Sequence, residues 1–129
     1  MSNAVAQLFI VMLGGAFGAA ARFLMSAKVN EKLGNAFPFG TLSVNVLGSF
    51  LMGLLAIILV ERLNLDPLLK LGILVGFLGA FTTFSTFSMD TLALFEQGHH
   101  WRAMTNMFIN VLLSVLAVWL GVMLGKSLS

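Results

Sequence analysis

Along the chain, long uncharged stretches alternate with short polar ones. Residues 1–21, 33–60, 71–89 and 103–125 contain no Asp, Glu, Lys or Arg. Each stretch is near or beyond the roughly 20 residues that cross a bilayer's hydrocarbon as a helix. The pattern predicts four membrane-spanning helices, at about 4–27, 39–60, 68–97 and 101–125. Turn-forming segments separate them: "VNEKLGNAFPFG", "ERLNLDP" and "EQGHHWR". The first stretch lacks a basic leading region and a small-residue cleavage site before the next span, so it is expected to stay as a span. The fold class expected is an all-α integral membrane protein, with residues 1–129 as a single domain.

Polar residues inside these spans change the picture, because hydrocarbon tolerates them only when they find partners or line a pathway. Thr41, Asn45 and Ser49 recur at steps of four in the second span, as do Asn106, Asn110 and Ser114 in the fourth. Each set shares one helical face. Two readings are open: hydrogen-bonding contacts between helices, or a row of NH₂ and OH donors that replaces water around a small anion. Arg22 lies on a face with Gly14 and Gly18, and either snorkels to the interface or draws anions to a pore mouth. The pairs Gly72 and Gly76, and Gly121 and Gly125, read as packing faces.

The segment "FTTFSTFS", Phe81 to Ser88, is the most unusual stretch. Gly79 removes side-chain bulk just before it, and its hydroxyls compete with the backbone ladder. The third helix is expected to break at Thr82–Ser85. Such a break frees carbonyls, which suit a cation, and amides, which suit an anion. It is possible only where protein covers it or where it lines a cavity. Phe81, Phe84 and Phe87 repeat every three residues; they either pack or turn the positive edge of their rings toward an anion.

Charge bears on topology and partners. Seven Lys and Arg stand against five Asp and Glu and are spread out, which argues against a nucleic-acid partner. Cysteine is absent, so no thiolate metal site or disulfide is available. With four spans, Arg62, Lys70 and Lys126 fall on one side and Lys28, Lys32 and Arg102 on the other. Orientation normally follows the Lys and Arg asymmetry of short loops, and here there is almost none. That balance predicts insertion in both orientations and an antiparallel, dual-topology homodimer.

Three motifs then carry a resemblance over nearly the whole chain: "GGAFGAAARF" at 14–23, "GTLSVNVLGSFLMG" at 40–53 and "GFLGAFTTFSTFSMD" at 76–90. Together and in this order they resemble the Fluc, or CrcB, fluoride channels. The resemblance implies passive export of cytoplasmic fluoride across the bacterial inner membrane, through two pathways in an antiparallel dimer with a central structural sodium ion (Na+). It implies sodium ligation by the backbone carbonyls of Gly79 and Thr82 from both subunits. Phe84 and Phe87 would line the pathways, Asn45 would be the pore asparagine and Thr41 a neighbouring hydroxyl donor. Ser85, Thr86, Asn110 and Ser114 complete the expected fluoride pathway, and Arg22 and Asp90 are expected at its vestibule. Asp90 stands where the family often has Glu, and Asn106 and Asn110 stand where relatives carry hydroxyls.

Two rivals are weaker. A small dual-topology multidrug transporter relies on a carboxylate embedded in its first helix, and here none precedes Arg22. A membrane enzyme built on Asp90, Glu96, His99 and His100 lacks further convergent ligands. The lipid bilayer, fluoride and a second copy of the chain are therefore the expected partners, and no enzymatic activity is expected.

Overall fold

The computed structural model describes residues 3–128; Met1, Ser2 and Ser129, inside the expected 1–129 domain, lie outside the described residues. Four helical spans long and apolar enough to cross a membrane cover Asn3–Leu33, Phe39–Arg62, Pro67–Glu96 and His100–Leu128. The first is a single helix, α1 (Asn3–Leu33). At 1.5 Å per residue its 31 residues extend about 46 Å, longer than the ~30 Å hydrocarbon, so its final turns with Lys28, Glu31 and Lys32 reach the interface.

Local chemistry explains where the elements stop. Gly34, at φ 85°, takes the left-handed position after α1, and its N–H donates to the Asn30 carbonyl at 2.8 Å. The second span begins with α2 (Phe39–Ile57) and ends in π-helical turns at Ile58–Arg62. Pro38 provides no side-chain cap for α2. Instead Asn30 reaches across from α1, and its Oδ1 accepts the Gly40 N–H at 2.9 Å. Asp66 caps the third span by accepting the Leu68 N–H, with Pro67 as the first helical residue. The last span is α6 (His100–Leu128), reached through Gly98 at φ 82°.

The third span changes winding along its length. It runs through α3 (Pro67–Leu71), a π-helical stretch at Gly72–Leu78, the short α4 (Gly79–Phe81) and α5 (Phe84–Glu96). Between α4 and α5, Thr82 (φ −90°, ψ 158°) and Thr83 (φ −150°, ψ 120°) have extended backbone. Phe84 and Ser85 already lie within α5, because Thr83 Oγ1 accepts the Thr86 N–H and starts the helix there.

Two packing seams organise the chain: α2 lies mainly against α6, and α1 against the π-helical stretch 72–78. Glycines let backbones meet at both. A Cβ on Gly14 would fall on the Gly72 carbonyl and one on Gly18 on the Phe77 carbonyl; one on Gly53 would strike the Val118 carbonyl and one on Gly121 the Phe50 carbonyl. The buried apolar core is small, with Val44, Leu78 and Phe81 among its members, while much of the apolar surface of α1 and α6 faces outward. Such a distribution suits a chain whose surroundings are lipid.

Candidate functional site

The Thr82 N–H still donates to the Leu78 carbonyl at 3.2 Å, but the extended backbone at Thr82–Thr83 takes the Thr83 N–H and carbonyl out of the helical ladder, so each needs another partner. Asn45, one span away, supplies two. Its Oδ1 accepts the Thr83 N–H at 2.7 Å and its Nδ2 donates to the Thr83 carbonyl at 3.0 Å. Its second amide hydrogen goes to Asn110 Oδ1, at 3.1 Å. A primary amide has two donor hydrogens, so those of Asn45 are both engaged. Arg22 serves the end of α4: its Nε donates to the Ala80 carbonyl at 2.9 Å, a cation at a helix C-terminus.

These contacts leave two carbonyls short of their usual donors. In a continuing α-helix the Gly79 carbonyl would accept from the Thr83 N–H, which here donates to Asn45. The Thr82 carbonyl would accept from the Thr86 N–H, which here donates to Thr83 Oγ1 at 3.2 Å. A Cβ placed on Gly79 would meet nothing within 4 Å, so the backbone there is uncovered by its own chain. Oxygen dipoles of this kind are hard donors, suited to a hard cation, and the residues present fit the expected sodium site in donor type. Among the described residues no group of three or more His, Asp or Glu side chains is placed to hold a metal.

The two polar stripes meet. From Asn45 a line of hydrogen bonds runs along α6 and into α5. Asn110 Nδ2 donates to Asn106 Oδ1 at 2.8 Å, and Asn106 Nδ2 to Thr91 Oγ1 at 2.9 Å. The Thr91 hydroxyl then donates to the Phe87 carbonyl at 2.8 Å. Asn106 is fully buried, and Asn110 and Thr91 nearly so. The contact reading of the stripes therefore holds for Asn45, Asn106 and Asn110.

Ser114 differs. Its hydroxyl oxygen is buried and has no hydrogen-bond partner among the described residues. Ser114 lines an open groove of about 290 Å³ together with Asn45, Thr83, Phe84, Phe87 and Asn110. The two rings lie 5.2 Å apart, centroid to centroid, inclined at 59°. Phe87 is 7% exposed while Phe84 is 75% exposed in the single chain.

A second, more polar hollow of about 320 Å³ holds Thr41, Thr86, Asp90, Ser26 and Asn30. Thr41 donates to Asp90 Oδ2 at 2.8 Å. Of the residues expected at the vestibule, Asp90 lines this hollow, and Arg22 bonds to the Ala80 carbonyl. Ser85 is exposed on α5, and its hydroxyl lies 3.5 Å from Thr83 Oγ1.

Thr91 and the peptide of Thr83 escaped the sequence reading. Spacing places a residue on a helix face but does not say which face of another span it meets. The one available signal for Thr91 is its four-residue offset from Phe87, whose carbonyl a helical Thr can reach.

Comparisons with known proteins agree with the motifs. The family model described as CrcB-like protein, Camphor Resistance (CrcB), matches residues 9–122. A protein of Magnetococcus marinus named fluoride-specific ion channel FluC is 54% identical over 120 residues, 93% of this chain and 98% of that one. One of the same name from Vibrio vulnificus is 50% identical, covering 95% of this chain and 97% of its own. A third, from Methylococcus capsulatus, is 50% identical over 95% of this chain, which spans only 54% of that relative's length. With the match running through all four spans, the chain belongs to the CrcB family.

Proposed function

We propose that this chain is a fluoride-specific ion channel of the bacterial inner membrane that lets fluoride leave the cytoplasm passively. The observation that carries the reading is 54% identity, over 93% of the chain, to a protein named for that activity. The groove chemistry supports it. Fluoride is small and strongly hydrated, so a narrow path must offer donors in place of water without holding the ion too tightly at any one point. Ser114, whose buried hydroxyl has no partner among the described residues, lines such a groove with the rings of Phe84 and Phe87, whose edges would suit an anion. Thr41 and Thr86 add hydroxyls in the polar hollow, where Asp90 sits, and Ser85 adds one on the exposed face of α5. Asn45 and Asn110 form the wall, and Arg22 holds the end of α4 beside it.

The functional unit in this reading is an antiparallel homodimer with two pathways. The near-even division of Lys and Arg between the two sides supports insertion both ways up. The interruption of the third span serves the centre of that dimer, where Gly79 and Thr82 of both subunits would hold sodium through their carbonyls. A sodium ion there supplies a fixed positive charge that joins the subunits.

Fluoride efflux from proteoliposomes, followed with a fluoride electrode and a chloride control, tests the function. Rapid loss of fluoride with retention of chloride is expected; a chain that releases neither overturns the reading. Phe84→Ile and Asn45→Asp are expected to cut flux while the protein still elutes as a dimer. Reporters at the C-terminus that work on one side of the membrane only should both give signal, and signal from one side alone would exclude dual topology.

A further inference from the structure

Every bond in the line from Thr83 to Phe87 points the same way. The Thr83 N–H donates to Asn45, Asn45 to Asn110, Asn110 to Asn106, Asn106 to Thr91, and Thr91 to the Phe87 carbonyl. At one end stands an N–H, which can only donate; at the other stands a carbonyl, which can only accept. Each amide between them is thereby held in a single orientation, since flipping any one would set donor against donor or acceptor against acceptor. Three spans contribute: α2 through Asn45, α6 through Asn106 and Asn110, and α5 through Thr91.

The consequence falls on Gly79. Its carbonyl is the one a continuing helix would pair with the Thr83 N–H, and Asn45 Oδ1 holds that hydrogen at 2.7 Å. We propose that Asn45 is a positioning residue for the central cation site: it withholds the Thr83 N–H from the Gly79 carbonyl, and the Asn110–Asn106–Thr91 line keeps its amide turned the right way to do so. The inference rests on the proposed sodium ligation by Gly79 and Thr82, and adds to it a set of residues that touch neither carbonyl. Replacing Asn45 with an apolar residue frees the Thr83 N–H to return to Gly79, and the carbonyl is then spent within the helix.

The test is the sodium dependence of thermal unfolding, measured on the purified full-length protein in detergent. Sodium is titrated against N-methyl-D-glucamine at constant ionic strength. A ligand that binds only the folded state raises its unfolding temperature with concentration, so the curve reports sodium affinity independently of transport. In Asn45→Leu the sodium concentration for half-maximal stabilisation should rise ~10-fold or more, the scale of losing a residue that orients metal ligands. Asn110→Leu, which leaves Asn45 in place but removes the acceptor that orients it, should give a smaller rise in the same direction. It carries the test if Asn45→Leu does not fold. Ser114→Ala, in the same groove but outside the line, should keep the unsubstituted midpoint. Unchanged midpoints in the Leu variants overturn the inference, as does an equal shift in Ser114→Ala. An unsubstituted protein that ignores sodium overturns the cation site itself, and this inference with it.

Discussion

The seam between α1 and residues 72–78 and the polar meeting of α2, α5 and α6 hold helices together by opposite means, although elsewhere along α2 and α6 Gly53 and Gly121 also bring backbones together. At the first, Gly14 and Gly18 press against the backbone of Gly72 and Phe77, with no room for a single added carbon. At the second, side chains of Asn45, Asn110, Asn106 and Thr91 fill the space and bond to one another. Lipid removes the usual hydrophobic drive between helices, which leaves close van der Waals contact and hydrogen bonding as the available forces. The contrast teaches where chemistry can reside. A glycine seam is intolerant of volume and offers no donors; an amide seam tolerates some volume but depends on every partner being present.

The sharpest way to break the first seam is to add volume where backbone faces backbone. Gly18→Leu would drive side-chain carbons into the Phe77 carbonyl, which belongs to a packed helix and has little freedom to move. Overpacking of ordinary cores costs about 1–3 kcal/mol, and here the obstacle is main chain. The expected result is loss of folded protein, seen as absence of a monodisperse peak on size exclusion. Gly79→Ala provides the contrast within the same span: a Cβ there meets nothing within 4 Å. Its own chain should accept the change with helix content intact by circular dichroism, and any loss of assembly would come from a second copy. Equal damage from both substitutions would erase the distinction between a glycine that packs and one that exposes its backbone.

A medium-sized effect is expected from the second seam. Asn106→Leu keeps similar bulk but deprives Asn110 of an acceptor and Thr91 of a donor in a fully buried setting. Leaving buried polar groups unsatisfied costs about 1–3 kcal/mol, and hydrogen bonds between membrane helices average nearer ~0.6 kcal/mol. A loss of about 1–2 kcal/mol, read as a lower unfolding temperature in detergent, is therefore expected. Stability equal to the unsubstituted protein would mean that the amide line does not hold the helices.

The two seams were unequally legible in the sequence. Four uncharged runs of sufficient length announced four spans, because length and apolarity alone decide whether a helix can cross hydrocarbon. Glycines at steps of four announced the packing faces for a similar reason: the period is local. The amide seam was visible only in halves. The steps of four in Asn45 and Asn110 marked two polar faces, and nothing in either helix said that the faces meet. Arg22 shows the same limit. Snorkelling and anion capture were both open from its position, and its contact with Ala80, 58 residues away, is set by how α1 lies on the third span. The winding change at Gly72–Leu78 also has no local signature, since the stretch GILVGFL carries no polar residue whose spacing could report a changed period.

The smallest stability change, and the most informative about function, belongs to Ser114. It continues the step-of-four stripe of Asn106 and Asn110, yet its buried hydroxyl alone has no partner among the described residues. For a residue that only joins helices this is a poor arrangement, because the hydroxyl is desolvated without compensation. Ser114→Ala removes the unsatisfied group and breaks no hydrogen bond among the described residues, so no loss of folding stability is expected. If the hydroxyl instead waits for a passing anion, the same substitution removes a hydrogen bond to a charged species, worth ~1.5–3 kcal/mol. Fluoride efflux should then fall by about tenfold or more, with the unfolding temperature almost unmoved. Full flux in Ser114→Ala would take Ser114 out of the pathway, whereas a large loss of stability would place it with Asn106 and Asn110 among the residues that hold the seam.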